Sequence, residues 1–368
     1  MATYIHELPD WPRFRWSAEG IATDLSEVRH RQGLLAGRMG ALGFPLQEQA
    51  VLSSLTEEVI KSSEIEGEIL DREQVRSSIA RRLGMDVAGL TPADRRVDGV
   101  VEMMLDATQK YDEPLTKQRL FGWHAALFPT GRSGMRTIAA GAWRTDEAGP
   151  MQVVSGPIGH EKVHYEAPAA PLLDDEMQAF LDWYNAEADI DPVVKAAIAH
   201  LWFVTIHPFD DGNGRIARAI ADMALARSER SSQRYYSMSA QIRLERNAYY
   251  AILEQTQKGG LDITPWLQWF LDCLNKAIAG AQTILAVVLR KAEFWKKHAA
   301  TPFNARQRNI VNALLDGFAG KLTSSKWAKL ENTSPDTALR DINDLVARGI
   351  LKKDQGGGRS TSYLLTPI

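Results

Sequence analysis

A nearly all-apolar run, VVKAAIAHLWFVTI (193–206), stops at His207–Pro208 and is followed by the turn Gly212–Asn213–Gly214. Proline lacks a backbone donor and clashes with the preceding helical turn, so a helix over 192–206 must end here. A second helix is predicted from about Asn213 through Arg227. The turn between them lets backbone approach a ligand closely, and the amides and dipole that open the second helix form an anion site. Arg215 and Arg218 are three apart, so both guanidiniums project from one face of its first turn, where they suit bidentate phosphate contacts. The parts together suit a polyphosphate.

Asp210 and Asp211 lie in the same stretch and on their own would repel such a ligand. A divalent cation that bridges a carboxylate to phosphate oxygens removes the conflict, and Mg²⁺ typically binds through one or two carboxylates plus phosphates. That accounts for one aspartate; the other is free to point into solvent. His207 has the only side chain of the loop suited to general-base work near neutral pH. Phe209 reads as an anchor that packs the loop onto the core.

The stretch HPFDDGNGRIAR (207–218) resembles the Fic family signature, His-x-Phe-x-Asp/Glu-Gly-Asn-Gly-Arg-x-x-Arg, at every position. The resemblance covers about residues 46–280. It implies a mainly α fold, a Fic helical core with a β-hairpin flap, and transfer of AMP from ATP to a Tyr, Ser or Thr hydroxyl of a target protein or of the chain itself. Carried over by position, His207 is the base and Asp211 the Mg²⁺ ligand. Gly212, Asn213 and Gly214 hold the α and β phosphates, and Arg215 and Arg218 the β and γ phosphates. Kinase-like relatives have Lys where this chain has Gly214, which counts against phosphoryl transfer. Tyr249 and Tyr250, in RNAYYAILEQ, resemble a family position that lines the nucleotide base; a core helix is nearly as good a reading of them.

Residues 46–66 predict a helix, with Leu52, Leu55, Val59 and Ile60 at helical spacing and Gly67 as the stop. Glu66 falls in its last turn, where the helix dipole disfavours a carboxylate. Read alone, it is a solvated glutamate among Glu64 and Glu68. Ser62-x-x-x-Glu66-Gly67 is similar to the inhibitory motif Ser/Thr-x-x-x-Glu-Gly/Asn of many Fic proteins. The resemblance implies that helix 46–67 is inhibitory, with Glu66 paired to Arg218 and the productive γ-phosphate pose blocked. Two other functions stay open: removal of AMP from a modified protein by the same site, and a nucleotide-sensing DNA-binding regulator.

MQVVS (151–155) and KVHYE (162–166) flank the turn GPIGHE and predict a β-hairpin. It resembles the family's flap, whose strand edge would dock an extended target segment. HEKVH (160–164) matches the His-Glu-x-x-His zinc pattern in letters, but that chemistry needs a helix and the stretch is bounded by glycine and proline. Further helices are predicted within 95–128 and at 172–188, 243–258 and 264–298. Past Thr301–Pro302, helices at 305–316, 323–330 and 335–349 and two strands around a glycine-rich tip suggest a winged helix. The expected organisation is an N-terminal segment (1–45), a catalytic core (46–298) and a winged-helix-like domain (302–368).

Residues 305–368 carry 10 Lys/Arg against 6 Asp/Glu. Yet the would-be recognition helix holds Asp336, Asp341 and Asp344 beside only Arg340 and Arg348, and Leu339, Ile342, Leu345 and Val346 are expected to face the core. Acidic residues repel a phosphate backbone, so protein contact or a homodimer is the expected role rather than DNA binding. The chain as a whole, with net charge −3, is no nucleic-acid polycation. Its one cysteine, Cys273, excludes an intramolecular disulfide and reads as a core residue. The first residues show no apolar signal segment and no run approaches the length of a membrane span, so a cytoplasmic protein without membrane contact is expected.

Overall fold

The computed structural model describes residues 3–85, 91–147, 149–157, 160, 162–187, 189–318, 320–354 and 361–367. Its elements run α1 (Ala18–Gly40), α2 (Phe44–Ile65), α3 (Arg72–Arg82), α4 (Arg95–Gln109), α5 (Lys117–Leu127), β1 (Arg132–Ser133), β2 (Arg136–Thr137), β3 (Gln152–Ser155) and β4 (Lys162–Glu166). Then come α6 (Leu173–Asn185), α7 (Pro192–Ile206), α8 (Asn213–Glu229), α9 (Met238–Leu244), α10 (Arg246–Gln257) and α11 (Thr264–Lys297). The last are α12 (Ala305–Leu315), α13 (Ser324–Leu330), α14 (Pro335–Ala347), β5 (Leu351–Lys353) and β6 (Tyr363–Leu365).

The apolar run found first in the sequence becomes α7, buried on every side and packed along α8. A helix that is hydrophobic all round belongs in a core, and α7 is the axis of this one. The other helices close around the pair: α4 and α5 against α8, α6 against α7, and α2 against α3, α9 and α11. The buried apolar residues form two clusters. One runs from Ile5 to Val288; the other, from Phe294 to Tyr363, lies under α12–α14 and the β5–β6 ribbon. The first includes Ile21, Val28, Leu35 and Met39 of α1. The N-terminal segment expected over 1–45 packs into this core, α1 lying against α11.

Several expectations need correction. The helix predicted over 243–258 is two, α9 and α10, broken at Glu245, whose carboxylate accepts from Gln241 and Lys276. Helix α3 has no counterpart in the sequence reading, because its buried positions are mostly small or polar: Ser77, Ser78 and Ala80 beside Val75 and Ile79. Helix α11, with a mean hydropathy of 1.3 over its most apolar window, is long and apolar enough to cross a membrane, contrary to expectation. Trp266, Leu267, Phe270, Leu271 and Leu274 of this helix are buried in the core. Leu339 of α14 does not face the core: it is 42 % exposed. Asp341 is bonded to Asn304 and Arg306, and Asp344 to Gln307 and Arg348. Among the described residues, Asp336 is the one of the three acidic residues held to repel DNA that has no such partner. The glycine-rich tip at 355–360 lies outside the described residues.

Behind the site, α2 and α8 meet through a buried carboxyl pair, Glu58 and Asp222. Glu58 Oε2 accepts from Ser237 Oγ (2.7 Å) and Ser239 N (3.0 Å), and Asp222 Oδ1 accepts from Arg234 Nη2 (2.7 Å). Glu58 Oε1 and Asp222 Oδ2 have no other partner. Burial pushes the Asp222 carboxyl well above its ordinary range, and the neighbouring Glu58 pushes it further, against the pull of Arg234. Protonated, the Asp222 carboxyl can donate to Glu58. A raised folded-state pKa gives stability that is complete below the ordinary carboxylate value. That stability falls by up to about 1.4 kcal/mol per pH unit as pH rises and is gone above the folded value. Chemical denaturation from pH 5 to pH 8 should show this loss in the native chain. Asp222→Asn, which keeps a hydrogen bond and cannot ionise, should flatten the profile; an equal slope in both chains would remove Asp222 as its source.

Candidate active site

The turn between α7 and α8 is held from both sides. His207 caps α7 in the left-handed region (φ 53°, ψ 55°), an uncommon position for a residue with a side chain. Its carbonyl accepts from the Nε of Arg144 (2.9 Å), and Arg144 N donates to the Pro208 carbonyl (3.0 Å). Arg144 is itself buried and extends to Asp146 and the Pro168 carbonyl. Asn213 closes the other side: its Oδ1 accepts from Phe209 N (3.0 Å) and its Nδ2 donates to Phe209 O (2.8 Å). The Asn213 side chain is thus spent on shaping the loop, and only its backbone amide can face a ligand. Phe209 is fully buried and stacks on His124 with ring centroids 4.2 Å apart, as expected of an anchor.

His207 Nδ1 can only donate to the Val204 carbonyl (3.2 Å), which leaves Nε2 as the proton acceptor of the neutral ring. Desolvation pushes the imidazole down to about 4, against the opposing bond to Val204 and the charges of Glu66 and Asp211. A base must be unprotonated to act, and His207 meets that condition at neutral pH. His124, which the sequence reading passed over, is also pushed down to about 4 by burial. Its Nδ1 accepts from Gly141 N (2.9 Å), so its Nε2 donates to the Asp211 carbonyl (3.2 Å).

Both aspartates are engaged. Asp210, expected to point into solvent, accepts from Ala139 N through Oδ2 (3.0 Å). Asp211 accepts from Ser133 Oγ and from Gly212 N (2.5 Å). The β1–β2 ribbon is thereby tied to the loop. The amides of Asn213, Gly214 and Arg215 open α8, and among the described residues they have no acceptor. Those are the amides on which the sequence places an anion.

The two arginines that follow are buried, and each already holds a carboxylate from the end of α2. Arg218 Nε donates to Ser62 Oγ (2.9 Å), and its Nη2 donates to Ser62 O (2.8 Å) and Glu66 Oε1 (2.8 Å). Burial works most strongly against the charge of Arg218, but Glu66, Tyr249 and Tyr250 together leave the pKa raised. Gly214 is the residue that admits Glu66: a Cβ there would lie 2.2 Å from Glu66 Oε1. The second pair was not anticipated: Arg215 Nη1 donates to Glu68 Oε2 (2.7 Å). Arg246 Nε donates to the Ile65 carbonyl (2.8 Å), which supplies the positive charge that a carboxylate-rich helix end lacks.

Ser62, Glu66, Gly67, His207, Asp211, Gly212, Asn213, Gly214, Arg215 and Arg218 are thus brought together by α2, the loop and α8. Tyr249 lies beside Arg218 but is 1 % exposed, with its hydroxyl on His200 Nε2 (2.9 Å). Tyr250 is half-buried under Arg246. The expected hairpin forms as β3 and β4, paired antiparallel with an irregularity between Val153 and Val154; residues 158, 159 and 161 of its turn lie outside the described residues. His164 of the HEKVH stretch bonds Glu254 Oε2 (2.6 Å) and Ser155 Oγ (2.6 Å), fastening the hairpin to α10.

Comparison with known proteins bears on this geometry directly. The family model described as Fic/DOC family matches residues 114–225, which include the whole loop and most of α8. The chain carries a Fic domain. A second model, a domain of unknown function (DUF4172), matches residues 4–85 and so contains α2 and the Glu66–Gly67–Glu68 segment that follows it. The protein adenylyltransferase Fic of Drosophila willistoni is 36 % identical over 104 residues, covering 28 % of this chain and 19 % of the relative. That of Drosophila mojavensis is 28 % identical over 220 residues, covering 58 % of this chain and 38 % of the relative. The chain therefore spans about a fifth to two fifths of these relatives. A Fic family protein from Desulfovibrio desulfuricans G20 has a similar fold, with a TM-score of 0.51 at 21 % identity over 94 % of this chain and 96 % of that one. A Fic domain containing signaling protein from Bacteroides thetaiotaomicron has a TM-score of 0.50 at 20 % identity, over 73 % of this chain and 98 % of that one.

The depressed basicity of His207 can be read directly. An NMR titration of the nucleotide-free chain should show its imidazole unprotonated down to about pH 5; a transition near the ordinary value of about 6.5 would mean that the ring is wet.

Proposed function

We propose that this Fic-domain protein transfers AMP from ATP to a hydroxyl of a target protein, or of itself, and that its own α2 end holds the activity off. The observation that carries the reading is the grip of Glu66 and Ser62 on Arg218, three residues beyond a loop that presents a neutral histidine and free helix amides.

The chemistry follows from the groups present. The triphosphate would rest on the amides of Asn213, Gly214 and Arg215, with its outer phosphates on Arg215 and Arg218. A target hydroxyl attacks the α-phosphorus; its oxygen forms the new P–O bond, pyrophosphate leaves with the electrons of the broken one, and His207 Nε2 takes the proton. Arg144 and Asn213 contribute by holding the loop so that His207 and the amides face one ligand. The residues fit Mg²⁺ that arrives with the nucleotide: Asp211 offers one carboxylate, and no group of three or more potential ligands occurs among the described residues. Held by Asp211, Mg²⁺ would neutralise phosphate charge. Strand β3 pairs only with β4 among the described residues, so its other edge is free to take an extended target segment.

Glu66 occupies the Arg218 donor that an outer phosphate would need. With ATP labelled at the α-phosphate and Mg²⁺, Glu66→Gly should label protein at least about tenfold more than the native chain, equivalent to about 1.4 kcal/mol of barrier. Glu66→Gly with His207→Ala should lose that label. Label that is equal in the native chain and Glu66→Gly would overturn the inhibitory role; label that survives His207→Ala would overturn the base. In the Glu66→Gly background, Asp211→Asn should lower transfer and raise the Mg²⁺ concentration needed for half-maximal rate.

A further inference from the structure

The α2 end delivers two carboxylates, and the second has its own geometry. Gly67 has φ +86°, which a residue with a side chain rarely adopts, and it turns the chain back so that Glu68 N donates to Ser63 O (3.0 Å). The reversal sets Glu68 beside Glu66, each on its own arginine. Arg215 is enclosed: its side chain is 3 % exposed and its guanidinium lies 5.1 Å from the centre of the Phe128 ring. Its Nε is buried with no partner. Glu68 is 41 % exposed.

The asymmetry of that pair matters. A guanidinium so enclosed is costly to leave without an anion. A carboxylate close to half in water gains little from the pair and is cheaply returned to solvent. The pair therefore breaks readily when another anion replaces Glu68 on Arg215, and resists breaking when none does. A phosphate carries more charge than a carboxylate and offers more oxygens to a guanidinium with a vacant N–H.

We propose that Glu68 is a specificity-determining residue of the nucleotide site. By occupying Arg215 it competes with a phosphate beyond the α position and leaves one at the α position untouched, so it weakens nucleoside di- and triphosphates and narrows their advantage over monophosphates. Glu68 acts through Arg215 and is a positioning residue, distinct from Glu66, which acts on Arg218. The inference rests on the reading that the loop and α8 bind a nucleotide, but not on transfer taking place.

The test is calorimetric binding of ADP and of AMP, each with Mg²⁺, to the full chain and to Glu68→Gln, so that no chemistry enters the readout. Glu68→Gln should tighten ADP about tenfold, or about 1.4 kcal/mol, and leave AMP unchanged. Glu68→Asp, which keeps the charge, should bind ADP more like the native chain. Thermal denaturation of each variant checks that it is folded, and Glu68→Asp keeps the test informative should Glu68→Gln unfold. An equal change for AMP and ADP, no change for either, or no ADP binding by any variant overturns the proposal. A selective gain for ADP together with an inert Glu66→Gly chain would uphold the nucleotide inference while removing AMP transfer.

Discussion

A guanidinium enclosed to 2 % exposure cannot be left without an anion, and the arrangement of this molecule follows from supplying one to Arg218. Arg218 lies on α8 at the centre of the fold, where burial opposes its charge and Glu66, Tyr249 and Tyr250 together restore it. The partner comes from α2, and α2 is held in register on α8 at two levels: Ser62 and Glu66 on Arg218, and two turns earlier Glu58 beside Asp222. The contact on Arg218 is thus continuous with the packing of the core. Displacing Glu66 alone requires only that a stronger anion reach Arg218, while the packing of Glu58 beside Asp222 is left in place.

The loop between α7 and α8 meets a second constraint. Its reacting side chain sits on a backbone in the left-handed region, and such strain persists only where the surroundings impose it. Arg144 on the His207 carbonyl and Asn213 on both polar groups of Phe209 impose it here. The same enclosure dries the imidazole and keeps it neutral. Geometry and protonation state of the proposed base therefore share one cause, the tight closure of the loop.

Much of the fold was legible because helices announce themselves through periodicity and their stops. The apolar run 193–206 and Pro208 located α7, and Gly67 marked the end of α2. Helix α3 escaped because its buried residues are small and polar. Glu245 escaped because a single-residue break between two helices leaves no mark in periodicity. Tyr249 and Tyr250 show the limit for individual residues: adjacent tyrosines carry the same chemistry in the sequence, and only packing shows that one is buried. Arg144 and His124 left no signal at all, since they act through backbone carbonyls that any residue provides.

The sequence by itself determined the groups available: a histidine at a helix end, an anion-binding helix start, two arginines one turn wide, and a Ser-x-x-x-Glu-Gly segment ending another helix. These are local facts, set by residue types a few positions apart. Which anion rests on which arginine was decided only by tertiary structure. Glu66 and Arg218 are 152 positions apart in the chain, and Glu68 and Arg215 are 147 apart. Pairing over such separations depends on how α2 packs on α8 and on the reversal at Gly67. Residue spacing encodes the reach of a side chain along its own helix; the low-dielectric enclosure that makes a distant carboxylate matter exists only once the core has closed around both.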